Sequence, residues 1–189
     1  MSTKYYPWPG EFTVCDNQSC VAAVLLNTDY IPPENVAIYG SLKTENIGIE
    51  KIIANVISNP HIRYLVVCGE EIRGHNSGQS LIAVHKNGVD NDNKIIEANG
   101  VIPYIENLDI EAVERFQKQI EMVNLIGVDD KDKIDETINK FVEKKPEVFG
   151  EPYIAVKISS EKHMHSEDKR ALHSKIKIDY TGKIKRRNG

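Results

Sequence analysis

Short apolar runs closed by turn residues alternate along this chain with stretches in which apolar residues recur every three or four positions. Val21–Leu26, Val36–Tyr39 and Ile62–Cys68 are runs of the first kind, and each is predicted as a buried strand. Between the second and third, Thr44–Pro60 places apolar residues at 49, 52, 53, 56 and 57, the stripe of an amphipathic helix. Thr44 or Asn46 can cap it, Glu45 suits its first turn, and Asn59-Pro60 stops it. The same period predicts helices over Ser77–Lys86, closed by Asn87-Gly88, from Asp109 through about Met122, and over Lys131–Lys144 before Pro146. Further strands are predicted at Lys94–Ala98 and Val101–Ile105 around an Asn99-Gly100 turn, at Val123–Val128 and at Tyr153–Ile158. Ile176–Tyr180 and Lys183–Lys185, joined by Thr-Gly, read as a small hairpin or as nothing ordered.

Strands alternating with helices imply parallel pairing and helices on both faces. The fold class is therefore α/β, a Rossmann-like open, mostly parallel sheet over residues 1–158, followed by a basic tail over 159–189. At 189 residues and 40% hydrophobic content the chain can bury one good core. No apolar run approaches the roughly 20 residues of a membrane helix, and the first ten residues hold no apolar signal core, so a cytoplasmic location with reduced thiols is expected.

Charge changes the picture in one place. The chain carries −4 overall with a pI near 5.9, which gives no general reason to expect nucleic acid as a partner. Ser160–Gly189 nonetheless holds nine Lys or Arg against four Asp or Glu, about +5, leaving about −9 on the rest. That tail is either solvated or a peripheral contact for an anionic partner or membrane surface. Cys15 and Cys20 are spaced C-x4-C with Cys68 remote, which suits neither a zinc knuckle nor a redox pair. His163, His165 and His173 fall in the tail and read as solvated.

The candidate chemistry gathers in loops that leave the carboxyl ends of the strands, where open parallel sheets bind ligands. They are Gly40–Asn46, Gly69–Gly78 and Asn99–Asn107. Gly69 and Gly74 give the second loop the G-x4-G spacing of a phosphate loop, but His75 stands where lysine is needed and Asn76 where a magnesium-holding hydroxyl is needed. Glu70 and Glu71 would also repel a polyphosphate. His75 can instead be a solvated or capping residue, or a metal ligand flanked by the small residues Gly74 and Gly78. A lone protein nitrogen suits a metal already held by a macrocycle, as in haem or a corrinoid. Against the corrinoid motif D-x-H-x-x-G, the histidine and glycine match while Arg73 replaces the aspartate. The carboxylate that orients such an imidazole is then absent or comes from elsewhere, with Glu70 and Glu71 as the nearby choices.

Thr44–Lys51, Asn55–Arg63 (NVISNPHIR), Gly74-His75 with Gly78-Gln79, Ile102–Asn107 and Glu114–Gln119 together resemble the A subunit of tetrahydromethanopterin S-methyltransferase, over roughly residues 8 to 150. The resemblance implies a cobamide cofactor (cobalamin or 5-hydroxybenzimidazolylcobamide), with His75 matching the lower cobalt ligand. It implies a methyl carrier that works with partner methyltransferase subunits between methyl-tetrahydromethanopterin and coenzyme M, within a sodium-pumping membrane complex. Donor and acceptor activation would fall to the partners, and imidazole ligation would follow the methylation state of the cobalt. Family members usually end in a hydrophobic anchor that this sequence lacks, so either the anchor has been removed or this is a soluble homologue, and sodium coupling is correspondingly open. Ser41, Thr44, Glu45, Asn46, Gly69, Gly74, His75, Gly78, Gln79 and Pro103 are the candidate cofactor contacts, with His75 the metal ligand. The rival function is a corrinoid-binding or regulatory module without methyl transfer.

Overall fold

A computed structural model describes residues 5–155 and the backbone of two short strands, Ile176–Ile178 and Ile184–Arg186. Two compact units divide the chain, Met1–Ile158 and Ser159–Gly189. The first holds a five-stranded sheet in the order β1-β3-β2-β4-β5, from β1 (Phe12–Val14), β2 (Val21–Leu25), β3 (Ile38–Ser41), β4 (Tyr64–Gly69) and β5 (Glu121–Ile126). All neighbours are parallel except β1, which pairs antiparallel with β3. The open α/β fold read from the sequence is the fold observed, with an antiparallel edge strand added. β1 has three half-buried or exposed residues and no alternation long enough to announce it.

The period of two in β2 and β4 sorts their side chains between two cores. Ala22, Val24, Leu65 and Val67 face α1 (Ile47–Ser58), α2 (Ser77–Asn87) and α3 (Ile110–Gln119). Val21, Leu25, Val66 and Cys68 face α4 (Lys131–Val142) through Ile134 and Ile138. Both faces are covered, which is why these central strands read as continuous apolar runs.

Helix starts follow the caps in the sequence. Asn46 accepts from the Ile47 N–H at 2.7 Å, Asp109 from the Ala112 N–H at 2.9 Å, and Asp130 from the Lys133 N–H at 3.2 Å. Trp8 is strapped to α1 through its backbone, its N–H donating to Asn55 Oδ1 and its carbonyl accepting from Asn55 Nδ2.

Predicted elements are corrected in three stretches of the chain. α3 ends at Gln119 rather than near Met122, because Ile120 turns extended and the chain is captured by the free side of β4, with Glu121 opposite Tyr64. The strand expected from Val123 therefore begins at Glu121 and ends at Ile126. Lys94–Ala98 and Val101–Ile105 form no strands, only isolated bridges between Val89 and Ile95 and between Lys94 and Tyr104. The N–H groups that a ladder would need are taken by carboxylates: Val101 and Ile102 donate to Glu45, and Glu106 and Asn107 to the buried Glu50. Tyr153–Ala155 is likewise no strand, and 156–158 lie outside the described residues. Arg63 and Arg115 take the carbonyls of Glu147, Phe149 and Glu151, which holds the approach to this segment by side chains instead of a ladder.

In the second unit, β6 (Ile176–Ile178) pairs antiparallel with β7 (Ile184–Arg186), within the two stretches read as a small hairpin. The histidines of the tail lie outside the described residues.

Candidate functional site

The order β3-β2-β4 makes β2 the point from which the chain turns first one way and then the other, and loops beyond such a point flank a crevice. The loop after β3 supplies Glu45 and the loop after β4 supplies His75. His75 Nδ1 lies 3.2 Å from Glu45 Oε2. The carboxylate is buried, with 6% of its side chain exposed, while the imidazole is 52% exposed. The carboxylate that meets the His75 ring thus comes from thirty positions upstream, and not from Glu70 or Glu71. Glu71 instead accepts from the Gly78 and Gln79 N–H groups at the start of α2, and Glu70 bridges to Asn27.

Burial by itself would push the Glu45 carboxyl up. The N–H groups of Glu45 itself and of Ile102, then the His75 ring, outweigh that and hold it below its ordinary value. An ionised Glu45 accepts only, so it fixes the proton of a neutral His75 on Nδ1 and leaves the Nε2 lone pair for a ligand. Among the described residues Nε2 has no protein partner. His85, the other histidine of this region, has Nε2 2.7 Å from the Ile120 carbonyl and Phe116 edge-on at 5.3 Å, and burial lowers its pKa. It is a half-buried residue that packs against α3.

Glu45 also organises a third loop. Its Oε1 accepts from Val101 N–H at 3.1 Å and Ile102 N–H at 3.0 Å. Gln79 closes the same loop, its Oε1 accepting from Asn99 N–H at 2.8 Å and its Nε2 donating to the Glu97 carbonyl at 2.9 Å. Asn76, in the left-handed region at φ 44°, donates to the Asn99 carbonyl. A β-carbon on Gly100 would stand 2.7 Å from Glu45 Cγ and 2.9 Å from the His75 carbonyl, so the loop passes where only glycine fits.

The remaining candidates serve their own turns. Thr44 Oγ1 accepts from the Gly48 N–H and Asn46 caps α1. Ser41 is exposed at the end of β3, on a groove of about 90 Å³ beneath Gly10–Phe12. Gly69 takes a positive φ of 94° against Thr28, and Gly78 lies so close to Leu26 that a β-carbon would meet it at 2.7 Å. Gly74, at φ 90°, has open space where a side chain would be. Pro103 is buried and its carbonyl accepts from Ile95 N–H. The structure thus joins Glu45, His75 and Gln79 with Asn76 and Asn99–Ile102. Sequence reading met Asn76 only as a misfit in a phosphate loop and Gly100 only as a turn residue, and gave neither a place at this site.

Among the described residues, no three His, Cys, Asp or Glu side chains gather as a metal cage. The profile of the A subunit of tetrahydromethanopterin S-methyltransferase matches residues 2–168. The chain belongs to this family. It is 51% identical over 158 residues to the A subunit numbered 1 in Methanothermobacter thermautotrophicus, covering 80% of this chain and 66%, just under two thirds, of the relative. The A subunit of Methanosarcina acetivorans is 47% identical over 162 residues, 82% of this chain and 67% of that one. The A subunit numbered 2 in Methanobrevibacter ruminantium is 44% identical over 163 residues, 82% and 84% of the two chains. No helix among the described residues is long and apolar enough to cross a membrane.

Proposed function

We propose that this member of the family binds a cobamide on His75 and serves as the methyl carrier of a methyltransferase, between methyl-tetrahydromethanopterin and the thiol of coenzyme M. The observation that carries the reading is the pairing of a buried carboxylate with an exposed imidazole at the sheet's carboxyl edge. The residues present fit the cofactor: one neutral nitrogen donor is what a metal already chelated by four ring nitrogens requires, and the space beside Gly74 leaves room for a broad planar group. His75 would hold the cobamide, which would supply a cobalt centre for methyl transfer from the donor to a thiolate. The protein's part is orientation. Glu45 keeps the Nδ1 proton in place and aims Nε2, and Gln79 and Asn76 hold the neighbouring loop still. The names of the relatives, each the A subunit of an S-methyltransferase, support a division of labour in which partner subunits bring donor and acceptor.

Mixing the protein with hydroxocobalamin tests the ligation. A histidine-bound spectrum is expected for the wild type and its loss for His75→Ala, with unchanged circular dichroism. Identical spectra would remove the ligand role. Transfer of a methyl group from the loaded protein to a thiol with partner subunits present separates a carrier from a binding module.

A further inference from the structure

Val101 and Ile102 are among the most exposed large apolar residues described, at 71% and 55%, yet their backbone is among the most firmly held. Both N–H groups end on Glu45 Oε1, the residue before them leaves no room for a β-carbon, and the turn ahead is closed by Gln79 and Asn76. Ile72, 38% exposed, is a third apolar residue tied to the same site, its carbonyl accepting the His75 N–H at 3.1 Å. Exposed aliphatic side chains on a backbone held in this way gain little from the fold and are available to a ligand.

We propose that Val101 and Ile102, with Ile72, form a fixed apolar shelf beside His75 that covers the lower face of the macrocycle and keeps water from the axial nitrogen. The inference rests on the cobamide reading and adds to it the residues that recognise the ring. Imidazole and shelf hang from the two oxygens of one carboxylate, so the shelf is registered to Nε2 and to whatever Nε2 binds. The periphery of a corrin carries methyl and methylene groups, which such side chains match. A protein partner is the poorer occupant, since a specific protein contact buries on the order of 1,000 Å² and three side chains supply a small part of that. The shelf also gives Glu45 a second task, because withdrawing its charge would loosen ring ligand and ring cover together.

The test is titration of hydroxocobalamin into the wild type, His75→Ala, and the double variant Val101→Ser/Ile102→Ser, following both spectrum and dissociation constant. Loss of two apolar contacts is expected to weaken binding about tenfold or more, with the histidine-bound spectrum still reached at saturation. The pair Val101→Ile/Ile102→Leu should bind as the wild type, and so should Ile110→Ser, which alters an exposed residue at the start of α3. Equal affinity of the serine double variant, with a His75-dependent spectrum in the wild type, would overturn the shelf and leave the ligation standing. A wild-type spectrum indistinguishable from that of His75→Ala would overturn the cobamide reading and the shelf with it. Unchanged affinity with slowed methyl transfer to a partner would make the surface a protein contact and overturn the proposal.

Discussion

At the scale of single residues, Glu45 controls which nitrogen of His75 is free. Glu45→Gln keeps an oxygen for the Val101 and Ile102 N–H groups but presents an amide donor to Nδ1, which favours the tautomer protonated on Nε2. Cobalamin affinity is expected to fall about 10- to 100-fold in a titration while melting changes little; unchanged affinity would show that the carboxylate does not orient the ring. Gly100→Ala should cost about 1–3 kcal/mol in chemical denaturation, since its β-carbon meets Glu45 at 2.7 Å and Ser80 at 2.9 Å. The pH dependence has a defined sign. His85 titrates lower in the fold than in the unfolded chain, so the unfolded state binds more protons just below pH 6.5 and stability falls as pH drops through that region. Glu45, depressed in the fold, contributes stability that is present above its unfolded value of about 4.3 and is lost on further acidification through its folded pKa. Denaturation midpoints between about pH 4 and 8 should show the first loss, and His85→Gln should flatten it. His75 was visible in the sequence because glycines and a failed phosphate-loop pattern isolate it. Its carboxylate was not, since a partner thirty residues away is found only once the loops after β3 and β4 are known to straddle β2.

At the scale of elements, local signals served where local forces decide. Asn46, Asp109 and Asp130 cap the helices they precede, and the period of α1 set its buried face. The sequence misled where long-range partners override propensity. Ile120 and Met122 continue the helical stripe, but the unpaired edge of β4 captures this stretch as a strand. Lys94–Ala98 and Val101–Ile105 read as short strands, yet Glu45 offers the Val101 and Ile102 N–H groups, and Glu50 those of Glu106 and Asn107 just beyond, charged acceptors that bind about twice as strongly as neutral carbonyls. Glu50→Ala strips the acceptor from Glu106 and Asn107 and is expected to cost about 2–4 kcal/mol. Faster hydrogen exchange at residues 106 and 107 than elsewhere would locate the effect; uniform exchange would show that Glu50 acts only through the core.

At the scale of the whole molecule, a parallel sheet whose central strands are covered on both faces can open only at its edges and ends, and the carboxyl end is where Glu45, His75 and the Asn99–Ile102 loop meet. The fold class was legible from alternation alone, because strands buried on both sides must read as apolar runs. The cobamide proposal rests on the exposed His75 imidazole at the carboxyl end and on the buried carboxylate of Glu45 beside its Nδ1. Electron paramagnetic resonance of the protein loaded with cobalt(II) cobalamin tests that most directly, using protein labelled with nitrogen-15 in histidine only. Ligation by His75 predicts that the threefold nitrogen splitting of the cobalt lines becomes twofold on labelling, and that in His75→Ala labelling leaves the spectrum unchanged. A threefold pattern that survives labelling would place the cofactor's own base on the cobalt and contradict the account.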